Sequence, residues 1–158
     1  MRLYRIAGEK HSAWDSAISG YGAWRFGARW NSPGQYLVYT SDTQTLAAFE
    51  TLVHCDELSF RQSRMVVTLE IPDEAVLQLN LSDVPEHWVD MPYSQAARAI
   101  GDAWLLEQAS VGLRVPSVIF PQASERNVLL NPAHPDFSRL VQPVSTERFV
   151  FDERIRLH

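Results

Sequence analysis

Cysteine is almost missing from these 158 residues, and lysine nearly so. Cys55 stands alone, which rules out an internal disulfide. It follows Val53 and His54 in an apolar segment, so a buried inert thiol is expected rather than a nucleophile. Lys10 is the single lysine beside thirteen arginines, and the formal net charge is −5. That acidic balance argues against direct nucleic-acid binding by this chain, which needs a basic face. No stretch approaches the roughly 18 consecutive apolar residues of a membrane helix. Residues Met1 to His11 also lack the apolar core of a signal peptide, so a cytoplasmic protein is expected, with no membrane partner. The histidines His11, His54, His87, His134 and His158 show no paired ligand spacing, and no metal site is expected.

What remains is ordinary globular material: 46% hydrophobic and 21% charged residues, enough to bury a core without being disordered. No linker divides the chain, so residues 1–158 read as one domain. Strands are expected at Arg2–Ile6, Gln35–Ser41, Met65–Ile71, Val76–Leu81, Val115–Phe120, Asn127–Leu130 and Phe149–Phe151. In Met65–Ile71 the alternation places Met65, Val67, Leu69 and Ile71 on one face. Helices are expected from a cap at Ser41 or Asp42 to about Cys55, and from a cap at Ser94 to about Ser110, stopped by Gly112. Strands and helices mix without regular alternation, which indicates an α+β fold with small mixed or antiparallel sheets flanked by helices. Between Ala7 and Gly34 the pattern is irregular and carries five of the seven glycines. A loop of that length inside a small domain is usually functional.

Three residues invite chemistry. On a helix from Thr43 to Cys55, the spacing puts Leu46, Phe49 and Val53 on one face and Glu50 on its shoulder, with His54 one turn on. A carboxylate there should meet a cation or a ligand. Arg29, closing the glycine-rich loop beside Trp30, is placed to join the loop amides in holding a pyrophosphate, or simply to stack on Trp30. Ser117 lacks a nucleophile elbow and reads as a hydrogen-bond donor to a ligand amide or to backbone. His134, Trp88 and Trp104 read as structural. Taken by pattern alone, Glu50 and Arg29 sit close to ordinary boundary and packing residues.

Spaced along the chain, Leu3-Tyr4-Arg5, Gly27 through Arg29 to Gly34, Val38 to Ser41, Leu46 to Glu50 with His54, Gly101 to Leu105, Val115-Pro116-Ser117, Asn127 through Asn131-Pro132 to His134-Pro135, and Phe151 to Arg154 together resemble the RES-domain family. That is a family of bacterial toxins paired with Xre-like antitoxins. Ala28 departs from it where a second glycine is usual. The resemblance implies a fold like that of ADP-ribosyltransferases, with NAD+ as a substrate rather than a cofactor. It implies a pocket lined by Arg29, Tyr39, Glu50, Ser117 and Asn127. It further implies a helix-turn-helix antitoxin that blocks this pocket. By analogy Glu50 faces the ribose charge or grips the ribose 2′-hydroxyl, Arg29 holds a phosphate, Tyr39 packs on the nicotinamide ring and Ser117 holds its carboxamide, with the roles of Arg29 and Ser117 open to exchange.

One carboxylate is chemically adequate for such a reaction. O-glycosidases typically use two, one of them to protonate the leaving oxygen. The nicotinamide of NAD+ is already a cation and departs neutral without a proton. The remaining demand is the positive charge that develops on the ribose, which a fixed carboxylate stabilises. The acceptor stays open among water, inorganic phosphate and a protein side chain. An RNA-directed toxin and a non-catalytic antitoxin-binding module are the competing classes.

Overall fold

The computed structural model describes residues 1–155, so His158 lies outside it. In chain order the elements are β1 (Arg2–Gly8), α1 (Trp14–Ala17), α2 (Tyr21–Phe26), β2 (Val38–Ser41), α3 (Gln44–Leu52), α4 (Glu57–Phe60), β3 (Arg64–Glu70), β4 (Val76–Gln78), α5 (Gln95–Glu107), β5 (Gly112–Pro116), β6 (Arg126–Leu130), α6 (Phe137–Leu140) and β7 (Gln142–Phe149). Rather than several small sheets, one seven-stranded sheet runs in the order β4-β5-β6-β2-β1-β3-β7. Every pairing is antiparallel except β4 with β5.

Both faces of the sheet are covered. Leu3, Val38, Leu69, Val128 and Leu130 pack in one apolar cluster with Phe137 and Val141. Leu113, Val115 and Leu129 face a second cluster built on Trp30, Trp88, Trp104 and Ala97. Neighbours in β6 alternate between the two, as the strand period of two requires. Double coverage also corrects the one-sided reading of β3: Val66, Val67, Thr68 and Leu69 are all buried, while Met65 is only half-buried.

The last strand lies before the place expected for it: β7 ends at Phe149, where the expected strand Phe149–Phe151 begins. Gln142–Phe149 pairs along all of β3, although Pro143 and a run of polar residues hide it from a hydrophobic-pattern reading. Edge position explains this, because an edge strand tolerates proline and exposes one flank to water. Gly112 is the first residue of β5 and not a helix stop; α5 ends instead at Gln108 in the left-handed conformation. The strand expected at Val115–Phe120 stops at Pro116, and the segment beyond leaves the sheet.

The irregular region contains two short helices, one of which follows Gly20 directly. Its closing loop is then fixed by side chains from afar. Asn31 is fully buried and its amide donates to the carbonyls of Ala23, Ser32 and Gln35 at 2.9–3.2 Å. From α5, Asp102 accepts from the Ser32 amide at 2.9 Å and the Ser32 hydroxyl at 2.6 Å. Gly27 has φ of +64° and a Cβ there would meet Pro33 at 2.7 Å, so only glycine suits the turn that brings Arg29 round.

Candidate active site

Helix α3 carries the centre of the site. Its N-cap is Thr43, whose hydroxyl accepts from the Leu46 amide at 3.1 Å. Asp42, expected as a cap, is occupied elsewhere: it accepts from the Arg126 amide at 3.0 Å and pairs with Arg114. The buried side of the helix is Leu46 and Ala47, not the face of Leu46, Phe49 and Val53. Phe49 and Val53 are exposed, and Phe49 meets Phe120 edge to face at 5.3 Å. Rotating the helix this way turns Ala47, Glu50 and Thr51, spaced i, i+3 and i+4, onto the wall of a cavity of about 720 Å³, which His54 joins from the turn after the helix.

Among the described residues Glu50 forms no ion pair, and it is half-buried on the cavity wall. Its Oε1 accepts from the Ser117 hydroxyl at 2.8 Å and from the Asn127 amide at 2.5 Å. Asn127 is in turn held by the Ser41 hydroxyl, which donates to its Oδ1 at 2.8 Å. Among the described residues Oε2 has no such partner. The carboxylate is therefore fixed through one oxygen with the other left over.

Ser117 is completely buried, and besides donating to Glu50 its oxygen accepts from the Ile119 amide at 3.1 Å. It does not line the cavity, so the hydroxyl is placed to orient Glu50 and not to reach a ligand amide. Asn127, Tyr39, Arg29 and Glu50 do line it.

The Tyr39 hydroxyl donates to Asn31 Oδ1 at 2.8 Å and accepts from the Trp30 amide at 3.1 Å. Burial pushes its ionisation well above the ordinary tyrosine range, opposed by that Trp30 contact. Tyr39→Phe leaves both loop groups without partners, and the expected cost is about 1–3 kcal/mol. Thermal melting should fall by roughly 3–10 °C for a chain this long. The sign with pH follows from the raised value. The native phenol stays neutral while the unfolded one ionises near pH 10, so stability is retained below about pH 10 and lost as pH rises beyond it. Tyr39→Phe should flatten that alkaline limb, which melting curves from about pH 8 to 11 will show.

Arg29 enters the cavity, yet the loop amides do not join it in a cradle. The Gly27, Ala28, Trp30 and Ser32 amides are all committed within the fold, to Ala23, Asn31, Tyr39 and Asp102. Nor does the guanidinium stack on Trp30. It donates to the carbonyls of Trp88 and Asp90 and lies over the rings of Trp88 and Tyr93, at 5.9 and 5.2 Å. Burial pulls its ionisation down, while Tyr93, Glu50, Tyr39 and Asp90 pull the other way.

Pattern reading missed Arg5. It lines the cavity, donates to the Tyr39 carbonyl at 2.9 Å, and its Nε is buried without a partner. Burial lowers its ionisation. The available signal was period two in β1: Leu3 and Ala7, on either side of Arg5 on the same face, are both buried. Tyr93 and Met91 also line the cavity, from a segment with no periodicity to mark it.

Elsewhere, Trp88 and Trp104 are core residues, and His134 accepts from the Asp136 amide at 3.1 Å as a turn residue does. Cys55 is half-buried and receives Arg64 at 3.1 Å, less enclosed than expected. Among the described residues no group of three or more His, Cys, Asp or Glu could hold a metal ion, and no helix is long and apolar enough to cross a membrane.

Comparison with known proteins places this geometry. The RES domain model matches residues 2–152. A protein named Toxin Res from Yersinia enterocolitica is 36% identical over 156 residues, covering 99% of this chain and all of that one. The Prs ADP-ribosylating toxin of a Sphingobium species is 32% identical, over 97% of this chain and 95% of its own length. Among solved structures, a chain of the Mycobacterium tuberculosis MbcT–MbcA toxin–antitoxin complex superposes with a TM-score of 0.71 at 21% identity, over 94% of this chain and 84% of that one, which shows the shared fold. A cavity lined by Arg29 and Glu50, with Ser117 buried behind Glu50, thus lies in a fold and a sequence of one kind, and the chain belongs to the RES-domain family.

Proposed function

We propose that this protein is the toxin of a bacterial toxin–antitoxin pair and that it cleaves the nicotinamide–ribose bond of NAD+, depleting NAD+ as a glycohydrolase or phosphorylase. The observation that carries the reading is Glu50: a carboxylate fixed through Oε1, in a cavity that also holds two arginines. Such a carboxylate stabilises charge on the ribose as the bond to nicotinamide breaks, with no reorganisation needed at that moment. Arg29 and Arg5 supply the cations for the pyrophosphate, in place of the loop amides. The Tyr39 ring forms a wall for the nicotinamide, its hydroxyl being occupied by the loop. Ser117 and Asn127 hold Glu50 in place.

The test is to incubate the purified protein with NAD+, with and without inorganic phosphate and with a protein lysate, and to identify the products. Free nicotinamide is expected. ADP-ribose, ADP-ribose-1-phosphate or a labelled protein then names the acceptor. No consumption of NAD+ in any of the three would remove the enzymatic claim. A second reading, transfer of ADP-ribose to a cellular protein, is favoured by the name of the Sphingobium relative, and the lysate arm addresses it. The partner proposed is an Xre-like helix-turn-helix antitoxin seated over the cavity. It is supported by the toxin–antitoxin complex that shares this fold.

Arg29→Gln is expected to raise KM for NAD+ by about tenfold or more with kcat within about threefold, because a charge-assisted contact made in both ground and transition states is lost. A fall in kcat with unchanged KM would instead assign Arg29 to the transition state.

A further inference from the structure

The roles above leave one basic side chain on the cavity wall unused. His54 lies four residues beyond Glu50, in the turn that follows α3, lines the cavity and is exposed to solvent. The two side chains thus border one cavity, of about 720 Å³. Among the described residues the imidazole makes no hydrogen bond and no ion pair.

Tyr4 and Tyr93 also line the cavity, but a neutral phenol is a far weaker base than an imidazole, and most other candidates for moving a proton here are already committed. The Tyr39 hydroxyl is locked between Trp30 and Asn31, with burial holding its proton on. The Ser117 hydroxyl faces Glu50. The Thr51 hydroxyl donates back to the Ala47 carbonyl at 2.8 Å. Arg5 and Arg29 have no lone pair to offer. Glu50 remains, but a carboxylate that takes up a proton loses the charge that the ribose needs.

Resting on the NAD+ reading, we propose that His54 forms the acceptor subsite and is the general base for a neutral O–H acceptor, a water or a hydroxyl group. In the step, the acceptor oxygen bonds to the ribose carbon while the bond from that carbon to nicotinamide breaks. The bonding pair passes to the pyridinium nitrogen, and nicotinamide leaves neutral. The acceptor proton goes to the imidazole nitrogen and from there to solvent, to which the exposed ring has direct access. Positioned bases of this kind contribute about 10²–10⁴-fold. An acceptor that attacks through an oxyanion, such as inorganic phosphate, has no proton to lose from the attacking oxygen and does not need His54.

This predicts a split that a packing role would not produce. In His54→Ala and His54→Gln, hydrolysis of NAD+ to ADP-ribose should fall by about 100-fold with KM for NAD+ within about twofold. At saturating inorganic phosphate, formation of ADP-ribose-1-phosphate should stay within about threefold of wild type, so the ratio of the two products rises. Added imidazole should restore hydrolysis in the alanine variant by at least about tenfold. Because the ring is exposed, both variants should melt near the wild-type temperature, and melting curves check this. Hydrolysis close to wild type in both variants overturns the proposal, as does an equal fall in both routes or a wild type that uses phosphate but never water. A wild type that releases no nicotinamide with any acceptor brings down the NAD+ reading itself, an outcome visible before any variant is measured.

Discussion

Glu50→Gln is expected to cut nicotinamide release by about 100-fold or more while leaving KM for NAD+ within about threefold. The substitution is close to a pure test of charge. Glutamine keeps the length of the side chain, and its carbonyl oxygen can still accept from Ser117 and Asn127 as Oε1 does now. Substrate binding, assigned to the arginines in the proposed function, is left in place. What disappears is the negative charge that, on the proposed reading, faces the ribose, and an interaction that matters only as charge develops is lost from kcat. Steady-state nicotinamide release across NAD+ concentrations separates the two constants. Undiminished turnover would show that Glu50 has no such role.

How much of this site the sequence disclosed depends on the kind of signal each residue leaves. Helix α3 was legible from its period, and Glu50 was recognisable as a carboxylate in an awkward place. Its orientation was not, because the face was drawn through Phe49 and Val53, which lie outside. Apolar residues are not barred from water, so a helix with more apolar residues than its core needs gives an ambiguous face. Ser117 and Asn127 were identified through the resemblance, yet their grip on Glu50 was invisible, since contacts across 67 and 77 residues leave no local pattern. The edge strand β7 was hidden by proline and polar residues, and the parallel pairing of β4 with β5 by the brevity of β4.

Gly101→Ala should be the most damaging single-atom change in the chain. A Cβ at this position of α5 would lie 1.8 Å from the Trp30 carbonyl oxygen and 2.8 Å from its carbon. Both are backbone atoms, so no rotamer change relieves the overlap. Either the helix or the loop must withdraw. Asp102, the next residue, holds Ser32 in that same loop, and the Trp30 amide is held by Tyr39, so withdrawal strains both attachments. The expected cost is at least about 3 kcal/mol, at the upper end of overpacking effects. Melting should drop by about 6 °C or more, or soluble protein should be lost. Any folded fraction should bind NAD+ poorly, since Arg29 adjoins the displaced Trp30. A variant that melts within about 2 °C of wild type would show that α5 and the loop are not in the contact described.

The three hydrogen bonds that immobilise Glu50 and Asn127 join residues 67, 77 and 86 positions apart in the chain. Contacts of such long range form late in folding, because their loop-closure entropy must first be overcome. α3 alone, or α3 with β1 and β2, has no catalytic arrangement at all; strand β6 and the segment after β5 must dock before the carboxylate is held. A nascent chain is therefore inert until most of its sequence has emerged and closed into the sheet. Recovery of activity after dilution from denaturant should trail helix formation and coincide with the burial of Trp30, Trp88 and Trp104.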